Sequence, residues 1–369
     1  MTSLLTVLPA LLALALGGCS SSHARSGRPT MSEVKALLAR HGKAVLDHSS
    51  KAFLADVDTA EAAKGFRARQ AEEIDNISDV PLASWKYAVS APVTDTSAQR
   101  AATKRYAEPA LVVRLTLSYE LSGIDRVPDP HDLWWTFVRR GGRVYIAGDD
   151  DLARAGGVSW RGPWDYGPVV VARGSSSLVL GHIGNALQLT ALADTVDAAV
   201  PAVSKIWGTR WAQRVAVLVP GSEKEFAVLA GAARTSADIS AVAVTAGLEP
   251  PAQAGGPSGD QPYGQRLVMA PDALGRLSTV GLRIVVRHEV THLATAADTS
   301  DTTPRWLVEG FADYVAETGD GQSVRTTAAE LRKQVLAGRV PKQLPADESF
   351  TSGAARLPQI YEQSWLACR

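Results

Sequence analysis

The chain is poor in cysteine: two in 369 residues. That excludes a disulfide framework and any zinc site built from several thiolates. It also has no excess of charge, with 38 basic residues against 38 acidic ones. A neutral total leaves no electrostatic footprint for nucleic acid or for an anionic membrane surface. No apolar run is long enough to cross a bilayer. The longest, Leu4 to Leu16, falls well short of the roughly 20 residues that a spanning helix needs. What is present is a hydrophobic share of 46% with 21% charge, too much core-forming material for a disordered or fibrous chain. The length exceeds one ordinary core, so two domains beside a targeting peptide are expected.

Leu4 to Leu16 has the length of a signal-peptide hydrophobic region and is followed by the small residues Gly17 and Gly18 and then Cys19. Met1 to Leu5 carries no Lys or Arg, a departure from the usual basic start of an export signal. Leu16-Gly17-Gly18-Cys19 resembles the lipobox of bacterial lipoproteins. The resemblance implies cleavage before Cys19, acylation of that cysteine, and an extracytoplasmic location anchored to the membrane through the acyl chains. Residues 1–19 then read as a lipoprotein signal peptide, and 20–31, rich in Ser, Gly and Arg, as a flexible tether.

Residues 32–150 read as a small α+β unit. Val34, Leu37, Leu38 and Val45 recur at helical spacing, and Phe66, Ile74 and Ile77 do so more loosely. The period then changes to two. Trp85, Tyr87 and Val89 alternate with polar or small residues, and Leu111 through Leu121 alternates with Arg114, Thr116, Ser118 and Glu120. Gly141-Gly142 is a two-residue hairpin signal between two further strands. Helices followed by a meander of long strands resemble the NTF2-like cone. No acid–base pair or metal-ligand spacing stands out in this unit, and His41, His48 and His131 read as packing or surface residues. Of Trp134 and Trp135, which face opposite sides of one strand, one is expected in the core.

Residues 151–167 read as a linker. The pattern restarts in 168–369: strands at Val169–Ala172 and Leu178–Gly181, a helix over Leu189–Ile206 with Gly208 just beyond it, and a strand at Val215–Val219. Ser222 can cap a short helix. Two more strands, Ile239–Thr245 and Gln265–Ala270, flank a Pro- and Gly-rich loop over Leu248–Gly264.

The chemistry is concentrated in His288-Glu289-Val290-Thr291-His292, inside an apolar run that predicts a buried helix. Residues four apart share a helix face, so His288 and His292 present two imidazoles to one point, half of a tetrahedral zinc site. Glu289 is placed to take a proton from metal-bound water rather than to ligate. Seven histidines and fifteen glutamates give only about 0.005 expected chance matches to this pattern. A catalytic zinc needs a third protein ligand. Asp301-Thr302-Thr303-Pro304 reads as a helix start with proline at the first helical position, and the helix that follows carries Glu309 in a mostly apolar face. An unpaired buried carboxylate would cost several kcal/mol, which a metal removes. Gly310 allows a close backbone approach, and Asp313, one turn on, can accept the remaining ring N–H of a ligating histidine.

HExxH followed by Trp306-Leu307-Val308-Glu309-Gly310-Phe311-Ala312-Asp313-Tyr314 resembles the gluzincin branch of zinc metallopeptidases, the peptidase-MA-like group. The resemblance implies a hydrolase that cleaves a peptide or protein substrate. In it His288, His292 and Glu309 hold zinc, Glu289 is the general base and Asp313 supports a ligand. It also implies an edge strand that binds an extended peptide, for which Gln265–Ala270 is the candidate, and a downstream oxyanion donor, for which Tyr361 is the candidate. Sixteen residues separate His292 from Glu309, a tighter gap than the commonest gluzincin spacing, so Asp298 and Asp301 are alternative third ligands. The other reading is a non-catalytic surface binding module on a vestigial metallopeptidase domain. The final residues, with Trp365, Leu366 and Cys368 and no capping signal, predict that the natural domain continues beyond Arg369.

Overall fold

The computed structural model describes residues 27–182, 184, 186–231, 239–249, 261–319, 323–350 and 355–369. The signal-peptide reading of residues 1–19, the lipidation site Cys19 and most of the tether lie outside the described residues. The fold is α+β; the described residues form a four-stranded antiparallel sheet, a five-stranded mixed sheet and a two-stranded antiparallel pair.

In the first unit, α1 (Met31–Leu46), α2 (Ser50–Leu54) and α3 (Lys64–Asn76) precede β1 (Leu82–Pro92). A capping box starts α1: the Glu33 backbone N–H donates to Thr30 Oγ1, and Thr30 N–H donates to Glu33 Oε2 at 2.9 Å. Helix α4 (Thr96–Tyr106) then separates β1 from β2 (Leu111–Leu121), and β3 (Asp129–Arg140) and β4 (Arg143–Gly148) close the sheet in the order β1-β2-β3-β4. Helix α4 was not expected, because its apolar residues are mostly alanines among polar ones. Gly141 and Gly142 both take positive φ, 56° and 82°, in the turn joining β3 to β4. Trp135 faces the core, whereas Trp134 is half-exposed beneath the Arg114 guanidinium. His41 is buried and stacked on Phe53, and burial pushes its pKa down to about 3. It is a core residue.

Residues 151–167 are packed rather than linker-like. Trp164 is 1% exposed and lies 5.2 Å from the Trp85 ring, and its backbone carbonyl accepts from Asn76 Nδ2 at 2.8 Å. Trp160 stacks on His131 with ring centroids 3.6 Å apart. Two tryptophans bury enough apolar area to hold the segment against the sheet.

The second unit contains β5 (Val169–Arg173), β6 (Ser177–His182), α5 (Ala186–Trp207), β7 (Val215–Leu218), α6 (Glu223–Leu229) and β8 (Ala241–Val244). The short strands β9 (Gly247–Glu249) and β10 (Gln261–Tyr263) pair antiparallel, so the ends of the expected loop are structured. Next come β11 (Arg266–Met269), α7 (Ala273–Arg276), α8 (Thr279–Thr295), α9 (Arg305–Glu317), α10 (Val324–Thr327), α11 (Ala329–Leu336) and α12 (Leu357–Cys368). The larger sheet runs β5-β6-β7-β11-β8. Strand β11 is therefore interior, parallel to β7 and antiparallel to β8, and the edges are β5 and β8 rather than Gln265–Ala270. Leu267, Val268 and Met269 are all fully buried, as expected of a strand covered on both faces.

The two sheets share one continuous apolar cluster. Arg266, 3% exposed, reaches from β11 to Asp125 of the first unit at 2.7 and 2.9 Å, with Asp129 at 3.3 Å. No described helix is long and apolar enough to cross a membrane.

Candidate metal centre

Helix α8 begins where Ser278 Oγ accepts from the Gly281 N–H at 3.1 Å. Its core face, Val286, Val290, Leu293 and Ala294, is buried. Histidines 288 and 292, one turn apart, look across at α9. The start of α9 differs from expectation. Pro304 is the residue before the first helical position, with no side-chain cap of its own. Asp347, distant in sequence, accepts from the Arg305 backbone N–H at 2.9 Å and satisfies that helix end instead.

The structure brings His288, His292 and Glu309 together as a set that can hold a metal ion, their ligand atoms all within 4.8 Å of one another. The Nε2 atoms of His288 and His292 are 3.0 Å apart, and Glu309 Oε2 lies 3.4 Å from the first and 3.6 Å from the second. A tetrahedral ion with donors at 2.0–2.1 Å requires donor separations of about 3.3 Å. The triangle fits such an ion. Asp298 and Asp301, the alternative ligands, are exposed and stand outside this set.

Asp313 Oδ1 is 2.7 Å from His288 Nδ1. With the proton on Nδ1, this contact leaves Nε2 as a lone pair aimed at the triangle. Burial works against charge on His288, but Asp313 outweighs it and, with Glu309, pushes the ring well above the ordinary histidine value. Burial would likewise raise Glu309, yet contacts from His288 and His292 hold it well below the usual carboxylate range.

Glu289 follows His288 on α8 and lines the same cleft. It is 9% exposed, and its Oε2 accepts from the Ala243 N–H of β8 at 2.7 Å. Burial raises its pKa, while His288 and His292 pull the other way. The outward-facing N–H of edge strand β8 thus holds the carboxylate in the cleft that contains the His288–His292–Glu309 set. Sequence periodicity carries no signal for this contact, because it depends on strand order.

Gly310 does permit a close approach, but the partner is α12. A Cβ at this position would lie 2.4 Å from the Ser364 carbonyl oxygen. That packing brings Tyr361 to the cleft, edge-on to Phe350 with ring centroids 5.5 Å apart. Burial, then Glu309 and Asp313, push its phenol up, so it keeps its proton and can donate. Cys368, at the end of α12, is a free half-buried thiol.

The resulting cleft, about 530 Å³, is lined by β8 on one side and by α8, α9 and α12 on the other. It contains His288, Glu289, His292, Glu309 and Tyr361, together with Arg305, which sequence reasoning missed. Another cavity, about 340 Å³, lies between the units near Arg126, Arg210 and Tyr263, away from these groups. Comparison of the chain with family models, curated proteins and solved structures finds no match.

Proposed function

We propose that this protein is an exported, lipid-anchored zinc peptidase, with an NTF2-like accessory unit followed by a zincin-like domain of gluzincin type. The observation that carries the reading is the His288–His292–Glu309 triangle, of tetrahedral dimensions, with the Glu289 carboxylate fixed next to it by the Ala243 N–H. The export and anchoring parts rest on the sequence around Cys19.

His288, His292 and Glu309 would hold the zinc, which when bound supplies Lewis acidity toward a carbonyl oxygen and toward water. The remaining work falls to side chains. Glu289 takes the proton of the attacking water and returns it to the leaving amine, a role suited to a buried carboxylate whose pKa is raised. Asp313 holds His288 in one tautomer. Tyr361, protonated and in the cleft, is the donor available to the developing oxyanion. The peptide substrate would lie along β8, the sheet edge that lines the cleft.

A binding-module reading has less support. A cavity of the first unit lined by Trp135, Trp160 and Trp164 has a volume of about 20 Å³, little room for a ligand.

The test is a Glu289→Gln variant. It is expected to bind zinc as the parent does and to lose cleavage of a mixed peptide pool. Undiminished cleavage by the variant contradicts the mechanism, and a parent that binds zinc but cleaves nothing contradicts the peptidase reading.

A further inference from the structure

Arg305 is the one Lys or Arg among the described residues lining the metal cleft. It stands one helical turn ahead of Glu309, with Nη2 3.9 Å from Glu309 Oε1. That distance is too long for a hydrogen bond. The guanidinium is propped over the Phe350 ring, 5.5 Å from its centroid, and the side chain is 50% exposed. Asp347 lies close by in the chain fold, but its Oδ1 accepts from the Arg305 backbone N–H. Among the described residues, no carboxylate hydrogen-bonds this guanidinium. Apolar residues, Val308, Leu357 and Leu248 among them, contribute to the same lining, together with Glu309 and Tyr361. The cleft therefore presents a planar, always-charged fork, stacked on an aromatic face and hydrogen-bonded to no described carboxylate, close to the His288–His292–Glu309 triangle.

From this we propose that Arg305 selects peptides bearing a carboxylate next to the scissile bond, either an Asp or Glu side chain or a free C-terminus. The inference rests on the peptidase reading and names the substrate class of that same site. Arginine pairs with carboxylates bidentately, and stacking on Phe350 reduces the rotamer freedom lost when the pair forms. Arg305 acts on substrate choice, so it should change KM and the ratio between substrates rather than kcat alone.

The experiment uses the zinc-loaded protein and matched peptides that differ only by Glu against Gln at each position flanking the scissile bond. Each is made with a free and with an amidated C-terminus, which separates the two sources of carboxylate. The parent is expected to prefer a carboxylate-bearing member by about tenfold in kcat/KM, mostly through KM. In Arg305→Ala the ratio is expected to fall to within about twofold, and in Arg305→Glu to invert in favour of the Gln-bearing member. Binding of the same pairs to the Glu289→Gln protein, followed by calorimetry, gives a readout independent of turnover and should show the same preference. Zinc content of each Arg305 variant separates loss of selection from loss of metal. Cleavage by the parent with no preference for a carboxylate overturns the proposal and leaves the peptidase reading standing. A preference that survives intact in Arg305→Ala also overturns it, as does a fall in kcat equal for all peptides. A zinc-loaded parent that neither binds nor cleaves any peptide overturns both.

Discussion

Asp313 Oδ1 lies 2.7 Å from His288 Nδ1, and this one contact decides which ring nitrogen faces His292 and Glu309. The two residues come from different helices, α8 and α9, so the contact also ties one helix to the other. Asp313→Asn keeps the shape and removes the charge. Its zinc affinity is expected to fall about 10- to 100-fold. Competition with a chelating dye measures this, and the far-UV spectrum should not change.

Zinc affinity should depend on pH in a defined direction. In the metal-free chain the raised His288 favours the protonated ring, held by Asp313 and Glu309. That arrangement contributes stability fully present below the ordinary histidine value and lost as pH rises through the raised one. Zinc needs the neutral ring, so its apparent affinity should rise with pH over that interval. Glu309, held well below the usual range, stays ionised throughout and adds no slope there. A chelator titration at successive pH values checks this, and a flat profile would argue against His288 as a ligand.

Gly310→Ala tests the packing behind the site. The new Cβ would meet the backbone of Ser364, carbonyl carbon at 2.5 Å, and backbone cannot swing aside as a side chain can. The expected loss is about 1–3 kcal/mol in chemical denaturation. Peptide turnover should fall as well, because α12 carries Tyr361.

Arg266→Ala tests the contact between the two units. It leaves Asp125 and Asp129, both buried, without their guanidinium. Removing one partner of a buried pair is expected to cost about 3–5 kcal/mol, read as a shift in the urea midpoint.

Much of this architecture was legible in local pattern. The alternation of Leu111 to Leu121 became β2, Gly141-Gly142 became a tight turn, and the four-residue spacing of His288 and His292 put both rings on one face of α8. Glu309 was legible as a carboxylate out of place on an apolar face. Features that depend on long-range order were not. Whether β8 or β11 forms the sheet edge is set by how the strands associate, and both read alike as short apolar runs. The burial of Leu267, Val268 and Met269 on both faces settles the order. The Asp347 cap on α9 and the Ala243 contact to Glu289 join residues more than forty positions apart, beyond the reach of any spacing rule. Residues 151–167 looked like a linker from their glycines, yet Trp160 and Trp164 decide their fate by burying against the sheet.

The most direct test of the central claim is a metal count on the purified protein. One equivalent of zinc per chain is expected, falling to near zero in His292→Ala while the fold persists. Zinc well below a third of an equivalent in the parent protein, after exposure to the metal, or undiminished zinc in His292→Ala, would contradict it.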